Sequence, residues 1–284
     1  MRWRSGRRST NVEDRRRVRV TRKAAGGGIG IVVIALIAMY FGVDPSIFLS
    51  QLGPTSSVST QQTTRKILAA ENELAGFVSV VLDDTEDTWN ELFRKMGKTY
   101  REPQLVLFSG AVQSACGFAQ AAVGPFYCPA DQKVYIDLSF YQDLKNRHGA
   151  PGDFAQAYVI AHEIGHHVQT LLGISEKVHS ARRRVNQVEG NRLSVMQELQ
   201  ADCFAGVWAH HAERSRQILE EGDIEEALGA ASAIGDDRLQ RKSRGYVTPD
   251  SFTHGSSAQR VRWFKQGLKS GEVLDCNTFR ADNL

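Results

Sequence analysis

Two short stretches, His162-Glu163-Ile164-Gly165-His166 and Glu198-Leu199-Gln200-Ala201-Asp202, each set two metal-capable side chains four residues apart. On an α-helix, residues four apart differ by roughly 40° in direction, so each pair shares one helical face. If both pairs serve one site, two helices must pack with those faces opposed. No other feature of the 284-residue chain constrains its fold as strongly. His167 lies five residues from His162, roughly 140° around the same helix, and is turned away from the pair.

The surrounding sequence suits such helices. Asp153 is a good N-cap and Gly173 a good terminator, which predicts one helix over 154–172. Residues 194–211 read as a second helix, and 65–96 as a long helix or a pair of helices in the scaffold. Residues 104–110 and 133–141 have strand character. In the second, Val134, Ile136 and Leu138 alternate with Tyr135, Asp137 and Ser139, as in a half-buried strand. It is expected either to be one more strand of a small sheet or to form an edge that pairs with an extended peptide. The fold class expected is α+β and mainly helical, with a small sheet.

The first stretch is H-E-x-x-H, a pattern in which two imidazoles bind Zn²⁺ and the glutamate sits beside the metal's water. The metzincin extension requires histidine at 172, where this chain has Leu172, so that class is excluded. The third ligand expected is Glu198. Asp202, one turn later, is expected to accept the spare N–H of a liganding imidazole and hold its tautomer.

Charge is unevenly distributed. Residues 1–23 carry ten Lys/Arg against Glu13 and Asp14, whereas the remainder carries 25 basic and 30 acidic side chains. Residues 24–43 follow without a charge and are long enough to span a bilayer as a helix. The basic segment is therefore read as a cytoplasmic tail that sets orientation, not as a nucleic-acid arm. Residues 44–64, rich in Ser, Thr and Gln, read as a linker, and 65–284 as an extracytoplasmic domain anchored to the cytoplasmic membrane by a single pass.

Four cysteines without C-x-x-C spacing exclude a zinc ribbon or a thioredoxin motif and suit disulfides in an exported domain. Three pairings are possible. Cys116 with Cys128 is favoured because it closes a short Gly-containing loop, which leaves Cys203 with Cys276.

The motifs AHEIGHHVQ and ELQADCFAGVWAH occur together with SACGFAQAAVGPFYCPADQKVYIDLSF and THGSSAQRVRWFKQGLKSG. In this combination, and in its RWRSGRRSTNVEDRR opening, the chain closely resembles the bacterial neutral zinc metallopeptidase family, with a gluzincin-like ligand arrangement. The resemblance implies a zincin-like peptidase domain, with His162, His166 and Glu198 as ligands and Glu163 as the catalytic residue. The expected reaction is hydrolysis of a peptide or protein substrate by a zinc-activated water, with Glu163 as proton acceptor. His254, in a segment similar to one that supplies a histidine in related gluzincins, is expected to contact substrate or transition state. Arg260 is expected either to join it or to be a surface or ion-paired residue. His148, His179, His210 and His211 read as surface or packing residues. Two other functions fit the same motifs: a non-catalytic zinc-stabilised envelope adaptor, and an amidase acting on cell-wall peptides.

Overall fold

A computed structural model describes residues 1–18, 60–121, 124–281 and 283–284. The expected span at 24–43 and most of the expected linker lie outside the described residues. Among the described residues no helix is long and apolar enough to cross a membrane. The chain divides into two compact units, one of residues 1–18 with 73–284, the other of residues 19–72.

The larger unit is mainly helical, with a small mixed sheet. Its strands are β1 (Val12–Asp14), β2 (Gln104–Phe108), β3 (Ala111–Ser114), β4 (Gly117–Gln120), β5 (Phe126–Cys128) and β6 (Lys133–Asp137). Four form a sheet in the order β1-β2-β6-β5, in which β1, β2 and β6 are parallel and β5 runs antiparallel to β6; β3 and β4 form a separate hairpin.

The 133–141 segment is thus neither half-buried nor an edge. β6 lies inside the sheet and Val134 to Asp137 are all buried. Both faces are covered: Leu105, Leu107, Val134 and Ile136 join the main core, and Val106, Phe108 and Tyr135 pack with Val112 and Cys128. The edges are β1 and β5 instead. The strand also ends early, because residues 139–146 turn into a helix.

The helices are α1 (Thr60–Lys95), α2 (Ser139–Asn146), α3 (Asp153–Leu171), α4 (Ile174–Arg182), α5 (Gln187–Arg216), α6 (Asp223–Ala233), α7 (Asp236–Arg244) and α8 (Ser257–Ser270). α1 begins at Thr60, inside the expected linker, and from Phe77 onward it buries Val78, Val81, Leu82, Trp89 and Phe93, the spacing of one helical face. α3 corresponds to the helix expected over 154–172, with one difference. Gly152 is the N-cap, and Asp153 sits in the first turn with its carboxylate engaged elsewhere. The N–H of Phe154 is accepted instead by Glu226 at 3.0 Å.

Two glycines set the helix spacing. A Cβ on Gly165 would meet the Cα and carbonyl oxygen of Ala201 at 3.0 Å, so the helices carrying the two motifs touch where the motifs lie. A Cβ on Gly267 would lie 1.9 Å from the Cys203 carbonyl oxygen, which seats α8 directly on α5. The Cys203–Cys276 disulfide ties α5 to the C-terminal segment, and Cys116–Cys128 ties the turn of the β3–β4 hairpin to β5. Both pairings are those expected.

The first residues are not a separate tail. β1 pairs with β2, matching Val12 to Leu105, Glu13 to Val106 and Asp14 to Leu107. Arg4 meets Glu73 at 2.8 Å, Arg7 meets Asp87 at 2.7 Å, and Lys133 reaches Glu13 at 3.0 Å. The basic segment was read as a tail that sets orientation; two of its arginines, Arg4 and Arg7, lie against acidic side chains of α1. Residues 1–18 thus belong to the same compact unit as residues 73–284.

Candidate metal centre

α3 and α5 meet with the expected faces opposed. The Nε2 of His162 lies 3.2 Å from Glu198 Oε2, and that of His166 lies 3.5 Å from Glu198 Oε1. Four-coordinate zinc holds nitrogen and oxygen donors at about 2.0–2.2 Å, which separates neighbouring donors by roughly 3.3 Å. The donor spacing of His162, His166 and Glu198 fits that ion.

The other imidazole nitrogens are committed. His162 Nδ1–H donates to Asp202 Oδ1 at 2.8 Å, and His166 Nδ1–H donates to Gln169 Oε1 at 2.9 Å. Each bond orients the ring so that Nε2, the atom left to bind a metal, faces Glu198. Gln169 is held in turn, since its amide donates to the Gln197 carbonyl at 2.7 Å and to Gln200 Oε1 at 3.1 Å.

Asp202 is fully buried and has three further contacts. Arg260 grips it bidentately, Nε to Oδ2 and Nη2 to Oδ1, both at 2.8 Å, and the Tyr158 hydroxyl donates to Oδ1. Burial would raise the Asp202 pKa, but Arg260 and His162 outweigh it and hold the carboxyl at about 2. Without metal, burial would lower the His162 pKa, yet Asp202 and Glu198 push it up to about 10. Binding a cation at Nε2 therefore means displacing a proton. Arg260 is 2 % exposed. It is ion-paired with Asp202 and also lines the cavity that holds the ligands.

Glu163, His254 and the three ligand residues line one cavity of about 560 Å³, together with Phe126 and Tyr127 of the edge strand β5. His254 is held by Asp236 at the start of α7. Oδ2 of Asp236 accepts the N–H groups of Thr253, His254 and Gly255 at 2.7, 2.7 and 3.1 Å, and Oδ1 lies 3.3 Å from His254 Nδ1. That side-chain bond raises the His254 pKa above its ordinary value. His167 points elsewhere, as helix geometry requires. It donates from Nε2 to the Arg101 carbonyl at 2.6 Å, and its Nδ1 accepts from the Tyr127 hydroxyl at 3.1 Å.

A second group of three acids lies at the N-terminal end of α3: Asp153, Asp223 and Glu226. The α-amino group of Met1 sits in it, 2.7 Å from Asp153 and 3.2 Å from Asp223.

The profile of the family described as "Putative neutral zinc metallopeptidase" matches residues 1–279. The chain belongs to this metallopeptidase family. Within it, "Uncharacterized protein YpfJ" of Escherichia coli (strain K12) is 54% identical over 288 residues, covering 98% of this chain and 99% of that one. "Uncharacterized protein Rv2575" of Mycobacterium tuberculosis (strain ATCC 25618 / H37Rv) is 39% identical over 265 residues, covering 87% and 86%. No solved structure matches the chain. Around the candidate site, sequence reasoning missed Gln169 and Asp236. Gln169 follows His166 by three residues and so falls on the same helical face, a signal that was present. Asp236 carried none, because nothing in the sequence links it to a histidine 18 positions away.

Proposed function

We propose that the protein is a zinc-dependent peptidase with a zincin-like arrangement of ligands, in which His162, His166 and Glu198 hold the metal. The observation that carries this reading is the paired commitment of the imidazoles: both Nδ1 atoms are taken by side-chain acceptors, and both Nε2 atoms face one carboxylate. When bound there, zinc supplies a Lewis acid and makes a water acidic near neutral pH. Glu163 takes a proton from the attacking water and passes it to the leaving amine. His254, oriented by Asp236, donates to the oxyanion as the carbonyl becomes tetrahedral. β5 supports a peptide substrate, because an edge strand lining the cavity offers main-chain partners to an extended chain.

The location follows from two features. Both disulfides suit an oxidising compartment, so we place the larger unit outside the cytoplasm, residues 1–18 included. Attachment to the cytoplasmic membrane through the uncharged residues 24–43 then leaves both flanks on one face. An impermeant thiol reagent should label Ser5→Cys in intact cells as fast as a cysteine placed on the exposed surface of the domain. Labelling of Ser5→Cys only after permeabilisation would return the N-terminus to the cytoplasm.

The test of the activity is cleavage of a peptide library by the purified full chain, abolished by chelator and restored by zinc. Full activity in Glu163→Gln would falsify the assignment. Stoichiometric zinc without cleavage of any peptide would favour an envelope adaptor, and cleavage of cell-wall peptides in place of proteins would favour an amidase.

A further inference from the structure

The cavity at the metal centre is one section of a longer channel. On one side it shares Tyr127, His166 and Glu198 with a hollow that runs on to Glu176, His179 and Arg182. On the other it shares Arg147, His148 and Leu239 with a hollow of about 570 Å³ between the end of α2 and the outer face of α7. A chain can therefore pass the ligands and emerge at both ends.

The two ends differ in charge. The first is mixed. The second is lined by Arg147, Arg238, Arg241 and Lys242 against one carboxylate, Asp237, whose Oδ1 is taken by the N–H and hydroxyl of Ser257 at 2.7 and 2.8 Å. Arg147, Arg238, Arg241 and Lys242 are all exposed. Lys242 donates to the Arg147 carbonyl, which joins α7 to the end of α2 and keeps the cations on one shelf. His148, between the shelf and the metal cavity, registers the same field: burial, then Lys242 and Arg147, lower its pKa.

We propose that this peptidase takes the interior of an extended polypeptide and selects acidic side chains in the segment that lies on the Arg147–Lys242 shelf. A nucleic acid fits less well. Its phosphates would have to continue past Glu163, Glu198 and Glu176, whereas a peptide needs negative charge only where the shelf lies.

The inference rests on the peptidase reading, and binding separates the two. In the full chain carrying Glu163→Gln and loaded with zinc, fluorescence anisotropy compares peptides of one length bearing Glu, Gln or Lys along one half. At low salt the Glu peptide should bind about tenfold more tightly than its Gln counterpart, and 0.5 M salt should remove most of the difference. Arg241→Glu with Lys242→Glu should reverse the order in favour of the Lys peptide, with zinc content and melting temperature as checks on folding. Equal affinities for all three peptides at low salt overturn the proposal, even where the Glu163 protein cleaves peptides. So does a single-stranded oligonucleotide that binds as tightly as the Glu peptide and is lost with the same double variant. Charge-selective binding without cleavage by the Glu163 protein upholds the shelf and sinks the peptidase reading alone.

Discussion

The metal centre and the acidic cluster at the N-terminal end of α3 are both groups of three ligand-bearing side chains on and around one helix. The first mixes two imidazoles with one carboxylate, and each imidazole is oriented by a further side chain. The second is all carboxylate and is neutralised by the Met1 ammonium group, with Glu226 also capping the helix. Proximity of ligands is common to both. What separates a donor set that fits zinc from an ion-paired helix end is the softer nitrogen donors, the oriented imidazoles and the adjoining cavity.

The comparison can be broken most directly at Glu163. Glu163→Gln should lower peptide cleavage by about 10²–10⁴-fold and leave zinc at one per chain, measured by elemental analysis. Loss of zinc in this variant would mean that Glu163 belongs to the ligand set. Next in size is Asp202→Asn, which leaves the buried Arg260 without its ionic partner. A loss of about 3–5 kcal/mol in urea unfolding is expected, with zinc affinity down about 10–100-fold. Because the Asp202 pKa is held at about 2, below its usual value, its contribution is present above about pH 4 and is lost as pH falls toward 2.

His167 gives a pH signature of the same sign in a higher window. Burial lowers its pKa to about 4, so between pH 6.5 and 4 the unfolded chain binds the proton that the folded one refuses. Stability should fall on acidification through that window by up to about 1.4 kcal/mol per pH unit, and a His167→Asn variant should show a shallower slope. The smallest effect belongs to the second cluster. Asp223→Asn should cost about 1–2 kcal/mol of stability and leave zinc content and cleavage unchanged. Altered zinc stoichiometry there would erase the distinction between the two clusters.

Much of the centre was legible because it is written at helical spacing. His162 with His166 and Glu198 with Asp202 need only the 3.6-residue period to be placed on faces, and Gly165 marks where the helices touch. Arg260 was half legible. It shares a period with the buried Trp263, Phe264 and Gly267, which places it on the inner face of α8, but a lone arginine gives no sign of its partner. The strand in the N-terminal segment was not legible for a physical reason. β1 has three residues, too few for an alternating pattern, and the basic composition around it suggested a tail because its acidic partners on α1 are roughly 60–80 positions away. The charge shelf on α7 is likewise a matter of which surface the helix faces, and the order of residues does not encode that locally.

The pairing of Val12 with Leu105 also bears on the order of assembly. β1 leaves the ribosome before β2, yet its place in the sheet exists only after β2 has been made, some 90 residues later. Strand β1 must wait, unpaired, until the intervening chain is complete. Folding of this unit is therefore not vectorial, and truncation from the N-terminus should remove a strand from a finished sheet where composition alone suggested only a tail.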